Sequence, residues 1–377
     1  MGEKPRLLVL ATTFPKSLND GTPSFVLDIA REHAKSFDVW VLTPMVPGAK
    51  RWETIDGVRI SRFHYLFPAT EDLADGSIMD NLRKSFYQKL QLPFMIASFS
   101  YRFLFRVLIW KPDVIHAHWI IPGGLVSKLA PWVPRVITTH GGDVYALNSR
   151  FMLALKRFIL NSASVTAVNG EMSEKLISNS LTDQAEVIPM GVKLDNLDVE
   201  KTPGQIVFVG RLVEKKGLKY LLEAVKNLDC QLKVIGDGPL AESLKPNAAD
   251  NVEFLGQLSK AEVMRVIAQS ELMVIPSVIA ENGDREGLPV TLMEAASNQT
   301  AVIASNLSGI NEVVIDEETG LLTDQRDVEG LKTAISRLLD DDETRIRLQR
   351  ALYEKAKDFD IEQIAQRYRD VIMRELK

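Results

Sequence analysis

The chain has 377 residues, 46% of them apolar and 25% charged, with a formal net charge of −5. That is the composition of a globular protein long enough for two domains of ordinary size. An acidic balance argues against bulk nucleic-acid binding, which needs a basic face. The single cysteine, Cys230, cannot form an internal disulfide and reads as a small buried hydrophobe at the edge of a strand.

Short β-branched runs alternate with helical patterns, so the expected fold class is α/β, with parallel sheets carrying helices on both faces. In the first half, strands are expected at 6–11, 38–43, 113–116, 135–139, 164–168 and 186–188. In the second half they are expected at 205–209, 231–235, 252–255, 272–275 and 301–304. Helical patterns fall between them, among them 217–227, 260–269 and 289–297. The early apolar run is too short for a signal-peptide core and reads as the first strand. No stretch suggests the ~18–20 apolar residues that span a bilayer, and the expectation is a cytoplasmic protein.

The polar segment 191–204, ending in Pro203-Gly204, reads as a linker between domains at 1–190 and 205–360. A final amphipathic helix, 361–377, carries Ile361, Ile364, Ala365, Tyr368 and Ile372 at helical spacing. It can pack on either domain. The segment 81–112 has no acidic residue but carries Arg83, Lys84, Lys89, Arg102, Arg106 and Lys111 among many aromatic and aliphatic residues. Two readings stay open there: an amphipathic surface that meets an anionic membrane, or ordinary helices covering a sheet.

Four motifs carry chemistry. In the first, a strand ends at Gly210 and a loop with Arg211 and Lys216 leads to a helix beginning at Gly217. Loops at the carboxyl ends of parallel strands line the ligand crevice. Two cations there suit a diphosphate, Arg211 through its fork and Lys216 as a point charge. Such cations also stabilise charge building on a departing nucleotide diphosphate. The second runs from Glu286 through Gly287, Leu288 and Pro289 to Glu294. Pro289 suits the first helical position, the N–H groups of Gly287 and Leu288 suit an anion, and the two carboxylates suit sugar or ribose hydroxyls.

The third is the turn Gly236-Asp237-Gly238-Pro239-Leu240, which lets backbone approach a ligand or simply turns the chain. The dinucleotide fingerprint of dehydrogenases is absent. The fourth group follows strands of the first half: His116 and His118, then His140 and Asp143, then Asn169. A metal site lacks its supporting carboxylate spacing here, so a polar wall holding a sugar is the better reading, with core packing an alternative for His116. The first strand-to-helix loop, with Gly21 and Thr22, is placed to close over phosphates.

With these residues in hand, the chain resembles the family-4 retaining glycosyltransferases (glycosyl transferases group 1) of the GT-B fold. The resemblance covers nearly the whole length. It rests on Glu286 and Glu294 in a Glu-Gly-Leu-Pro…Met-Glu-Ala setting, on Gly-Arg-Leu…Lys-Lys-Gly from Gly210, and on the Gly236 turn. It rests also on Val187 to Val192, Ile115 to Trp119, and His140 to Asp143. It implies two Rossmann-like domains with parallel sheets facing across a cleft, and a C-terminal helix crossing back to the first.

The resemblance implies that Arg211 and Lys216 hold the donor diphosphate, Glu294 the ribose and Glu286 the sugar hydroxyls. Gly210, Gly236, Gly287, Leu288 and Pro289 would shape that site, and His140 would bond the transferred sugar. Gly21, Thr22, His118, Asp143 and Asn169 fall to the acceptor or phosphate side. The donor would be a nucleotide-diphosphate sugar, the acceptor a glycan or lipid-linked, and no metal would be required. One departure is the first loop, Asp20-Gly21-Thr22-Pro23, where many members carry Gly-Gly. The stretch before Glu286, 280–285, resembles members that build bacterial surface polysaccharides. A nucleotide-sugar epimerase or hydrolase of the same fold, and a non-catalytic binding protein, remain open at this point.

Overall fold

The computed structural model describes residues 3–17, 24–68, 70–76, 78–194, 196–281 and 283–376. The chain divides into two units, Met1–Gly191 joined by Ile361–Lys377, and Val192–Asp360.

The first unit is built on eight strands: β1 (Arg6–Leu10), β2 (Asp38–Pro44), β3 (Trp52–Ile55), β4 (Val58–Phe63), β5 (Val114–His118), β6 (Arg135–Thr139), β7 (Ser164–Ala167) and β8 (Glu186–Val187). Their order is β3-β4-β2-β1-β5-β6-β7-β8. All neighbours are parallel except β3 with β4. That hairpin was not expected from the sequence. Asp56 and Gly57, both at positive φ (47° and 83°), make its two-residue turn, and an Asp-Gly pair between alternating residues is the ordinary signal for one.

Side chains alternate across a strand, and here both faces are apolar because helices cover both. Leu8, Leu10, Leu42, Ile115 and Ile137 pack beneath the helices Phe86–Trp110 and Arg150–Leu160. Leu7, Val9, Val39, Val41 and Val114 pack beneath the helix Phe25–Ala34 and the C-terminal helix Ile361–Glu375. The C-terminal helix buries Ile361, Ile364, Ala365, Tyr368, Val371 and Ile372. Each large apolar side chain among them contributes roughly 1.5–3 kcal/mol by burial. The Tyr368 hydroxyl also donates to the Ile188 carbonyl at 3.1 Å.

The helix Phe86–Trp110 corrects the expectation about membrane-length segments. It is 25 residues long, with a window of mean hydropathy 1.4, and is apolar and long enough by those measures to cross a membrane. Its buried stripe of Gln91, Met95, Phe99, Phe103 and Val107 instead ties it to the sheet, where the Phe99 ring stacks on Phe63 at 4.8 Å.

The second unit carries β9 (Thr202–Val209), β10 (Gln231–Ile235), β11 (Val252–Gly256), β12 (Ser270–Ile275), β13 (Ala301–Ser305) and β14 (Leu321–Thr323). Their order is β11-β10-β9-β12-β13-β14, parallel throughout. The three-residue β14 was not expected. A capping box of Ser259 and Glu262 starts the helix Lys260–Gln269. Cys230 is buried just before β10, and burial pushes its thiol pKa up to about 11.

Candidate functional site

In the second unit, β9 lies between β10 and β12, so the loops leaving these strands are neighbours. The backbone fastens them: Gly210 N–H donates to the Ile235 carbonyl at 3.0 Å, and Leu212 N–H to the Asp237 carbonyl at 2.9 Å. Gly236, at φ +128°, allows this approach, since a Cβ there would lie 2.0 Å from the Gly210 oxygen. Gly236 therefore serves backbone against backbone, whatever else it touches. Gly210 leaves room for Lys216, whose Cδ and Cε would lie 3.2 Å from an added Cβ. The partly exposed Arg211 follows at once on the same loop.

Lys216 ends a short helical turn, Glu214–Lys216, and reaches to Glu286, Nζ to Oε2 at 2.8 Å. Lys215 flanks the same carboxylate at 3.7 Å and bonds Asp284 at 3.2 Å. Burial pushes the Glu286 carboxyl up, but the charges and hydrogen bonds of Lys216 and Lys215 outweigh it and hold the group below the usual carboxylate range. Glu286 is thus an anion, shielded and oriented, beside cations at the end of a strand.

From Glu286 the chain passes Gly287, Leu288 and Pro289 into the helix Val290–Ser297. Pro289 is the capping residue before this helix, in extended conformation (φ −67°, ψ 129°), not its first helical residue as expected. The helix is buried on most sides, and Glu294 is 5% exposed within it. Its carboxylate is paired with Lys260, at the start of the helix Lys260–Gln269. The helix Val290–Ser297 directs its first-turn N–H groups back toward the segment 286–289, a setting that favours an anion.

In the first unit, the neighbouring strands β5 and β6 bring His118, the last residue of β5, beside His140, the first residue after β6. His118 Nδ1 lies 2.9 Å from His140 Nε2, one donating and the other accepting. Behind them, His116 Nε2 bonds the Thr138 hydroxyl at 2.8 Å, and Thr138 bonds Thr166 at 2.7 Å. Trp119 and Phe25 flank His140 with ring centroids at 4.7 and 5.0 Å. Burial holds His116 and His140 near pKa 3. Burial, then the neighbouring imidazoles, holds His118 well below the ordinary value. These are neutral rings, able to donate or accept a hydrogen bond but not to supply charge.

Asp143 and Asn169 have structural work. Asp143 accepts from the N–H groups of Ile120, His140 and Gly141 at 3.0, 3.1 and 3.1 Å. Burial raises its pKa, opposed by the N–H groups of Ile120 and His140. Asn169 caps the helix Gly170–Ser178, accepting from Met172 N–H at 2.8 Å. Gly21 and Thr22 lie outside the described residues. Sequence reasoning did not single out Lys215, Lys260 or Phe25 as site residues. Lys215 and Lys260 look like any solvated lysine until folding sets them beside Glu286 and Glu294. Among the described residues, no cluster of His, Cys, Asp or Glu is arranged to hold a metal.

Comparisons with known proteins bear on this arrangement. The model of the glycosyl transferases group 1 matches residues 193–357, and that of Glycosyltransferase Family 4 matches residues 19–196. An uncharacterized glycosyltransferase of Methanocaldococcus jannaschii is 30% identical over 256 residues, 66% of this chain and 70% of the relative. The amylovoran biosynthesis glycosyltransferase AmsK of Erwinia amylovora is 26% identical over 323 residues, 74% of this chain and 77% of that one. Among solved structures, sucrose-phosphate synthase from Thermosynechococcus elongatus superposes with a TM-score of 0.79 at 21% identity, covering 98% of this chain and 99% of that one. Anabaena HepE, solved in complex with UDP-glucose, superposes with a TM-score of 0.73 at 16% identity, covering 98% and 99%. These likenesses at low identity carry the fold, and the sequence matches carry the family: the chain belongs to the group 1 glycosyltransferases of the GT-B fold.

Proposed function

We propose that the protein is a retaining hexosyltransferase that takes its sugar from a nucleotide-diphosphate donor held by the second unit. The observation that carries this reading is the Lys216–Glu286 pair at 2.8 Å, seated at the end of β9 over Gly210. In this reading Arg211 and Lys216 hold the diphosphate and stabilise the charge that builds on it as it leaves. Glu286 accepts hydrogen bonds from sugar hydroxyls, and Glu294 from the ribose. Gly210, Gly236, Gly287, Leu288 and Pro289 shape the pocket, and no metal is needed where lysines, an arginine and a helix terminus supply the positive field.

The acceptor is a glycan, free or lipid-linked, received by the first unit. His140 bonds the transferred sugar, with His118, Asp143, Asn169, Gly21 and Thr22 on the acceptor or phosphate side. The acceptor oxygen bonds the anomeric carbon on the face the phosphate leaves, and the departing phosphate oxygen takes the acceptor proton, so configuration is retained. The complex of HepE with UDP-glucose supports a nucleotide-sugar donor. AmsK and the putative teichuronic acid biosynthesis glycosyltransferase TuaC of Bacillus subtilis, 30% identical over 249 residues, 60% of this chain and 61% of that one, support a polysaccharide product. Contact of the segment 81–112 with an anionic membrane, at the cytoplasmic face, belongs to the same reading.

The test is a thermal-shift screen of nucleotide diphosphates and nucleotide sugars, without metal, on wild type and Glu294→Ala. Stabilisation by one nucleotide series, lost in the variant, is the expected result. Donor consumption that proceeds equally with and without any acceptor, or no shift with any nucleotide, would overturn the reading.

A further inference from the structure

The first unit carries an apolar face larger than the segment 81–112. The helix Phe86–Trp110 buries one stripe only. Its other sides expose Phe86 (79%), Leu90, Phe94, Tyr101, Leu108 (65%) and Ile109 (66%). Two further elements lie over the same face of the sheet, because Val126, Ala130, Val133, Ile159 and Leu160 belong to the core beneath that long helix. Both add outward aromatics: Trp132 (65% exposed) after the short helix Leu125–Ser127, and Phe151 and Phe158 on the helix Arg150–Leu160. Lys128 joins the two, its ammonium 4.9 Å from the Phe158 ring. The long helix packs beside Leu125–Ser127, and the helix Arg150–Leu160 packs beside the turn Ile120–Gly124 that leads into it, so the three elements adjoin over that face. Exposed apolar patches of such extent mark interaction sites.

Charge selects the occupant. The segments 86–110, 125–132 and 150–160 contain no aspartate or glutamate, while Lys89, Arg102, Lys128, Arg150 and Arg157 stand among their apolar side chains. This occurs in a chain whose net charge is −5. Acidic side chains adjoin these elements at Asp72, bonded to Gln88, and at Asp183 and Glu186, which line a cleft with Phe158, but the three elements themselves carry only cations, which counts against face-to-face self-association. An anionic lipid surface accepts both features, apolar side chains at the headgroup boundary and lysine or arginine at the phosphates. The long helix is held to the sheet by its buried stripe and by Ser98, whose hydroxyl donates to the His64 carbonyl at 2.6 Å. A helix fastened in this way offers its outer side to a membrane surface and does not span a bilayer.

We infer that this three-element face, with Trp132, Phe151 and Phe158 as much as the helix Phe86–Trp110, is a docking surface for an anionic lipid bilayer. The inference deepens the membrane contact proposed above and presents the first unit to lipid-linked acceptors. It is tested by flotation of the full chain with phosphatidylcholine vesicles and with vesicles that also contain phosphatidylglycerol, without nucleotide. The chain should float with the mixed vesicles, and binding should weaken at high salt. Lys128→Ala should weaken partitioning about fivefold. Trp132→Ser/Phe158→Ser should lose binding comparably to Leu108→Ser/Ile109→Ser, each retaining wild-type circular dichroism and nucleotide thermal shift.

Loss confined to the Leu108 and Ile109 variant would overturn the three-element surface. Absence of flotation, or a solution dimer that these substitutions dissociate, would overturn membrane docking altogether. Because binding is read without donor, and donor binding without lipid, failure of this inference is distinct from failure of the transferase reading.

Discussion

Lys216 and Glu286 meet at 2.8 Å although seventy positions separate them in sequence. The pair exists because β9 and β12 are neighbours, which sets the loop after one beside the segment after the other. If Lys216 carries the leaving-group charge, Lys216→Ala should lower kcat by ~10²–10³, the cost of removing one charge-stabilising group. Donor binding should weaken less. Steady-state kinetics with saturating acceptor make the check, and turnover near wild type would remove Lys216 from the chemistry.

Glu294 and Lys260 form a second pair. Lys260 is 46% exposed at its side chain and Glu294 only 7%, so solvent screens the lysine more than the glutamate. Lys260→Met should cost about 1 kcal/mol or less in the free protein. The thermal shift on saturating nucleotide diphosphate should then exceed that of wild type, because ribose hydroxyls replace the lost partner. An unchanged or smaller shift would detach Glu294 from the ribose.

The buried imidazoles predict an acid-sensitive first unit. Burial, then His116 and Arg369, holds His33 well below the ordinary histidine value of 6.5. His116 and His140 sit near 3. As pH falls through about 6.5 the unfolded chain takes up protons that the folded chain refuses. Stability is full above that value and declines between it and about 3. Each such imidazole contributes up to about 1.4 kcal/mol per pH unit. His33 has no bonded ring nitrogen, so His33→Leu should flatten the decline by about one proton. Denaturant melts at several pH values would show it, and an unaltered slope would refute it.

Gly236 predicts a stability effect with a functional consequence. An alanine there meets the Gly210 oxygen at 2.0 Å in a backbone conformation of φ +128°. Gly236→Ala should cost about 2–5 kcal/mol and displace the Gly210 loop, so nucleotide binding should fall with stability. A variant as stable as wild type would mean that the loop yields freely.

Much of this architecture is legible in the residues because parallel strands buried on both faces leave continuous apolar runs. Those runs located the strands that end at Val209, His118 and Thr139 to within two residues, and so the loops that follow. The hairpin of β3 and β4 was missed because Trp52 and Glu53 do not form an apolar run, although Asp56-Gly57 signalled the turn. Pairings such as Lys260 with Glu294 leave no local trace, since strand order decides them and neither neighbour in sequence shows it. The helix Phe86–Trp110 was ambiguous for a different reason. It is apolar on both sides, and periodicity cannot say which side meets the sheet.

The C-terminal helix has a consequence for synthesis. Ile361, Ile364, Tyr368 and Ile372 close the face formed by Leu7, Val9 and Val39, yet a ribosome delivers them only after residues 192–360. The second unit is complete in the nascent chain while the first still shows an open apolar sheet face to chaperones and proteases. Covalent order, more than relative stability, then decides which half matures first. A ribosome-arrested chain ending before Ile361 should yield a protease-resistant second unit beside a digestible first.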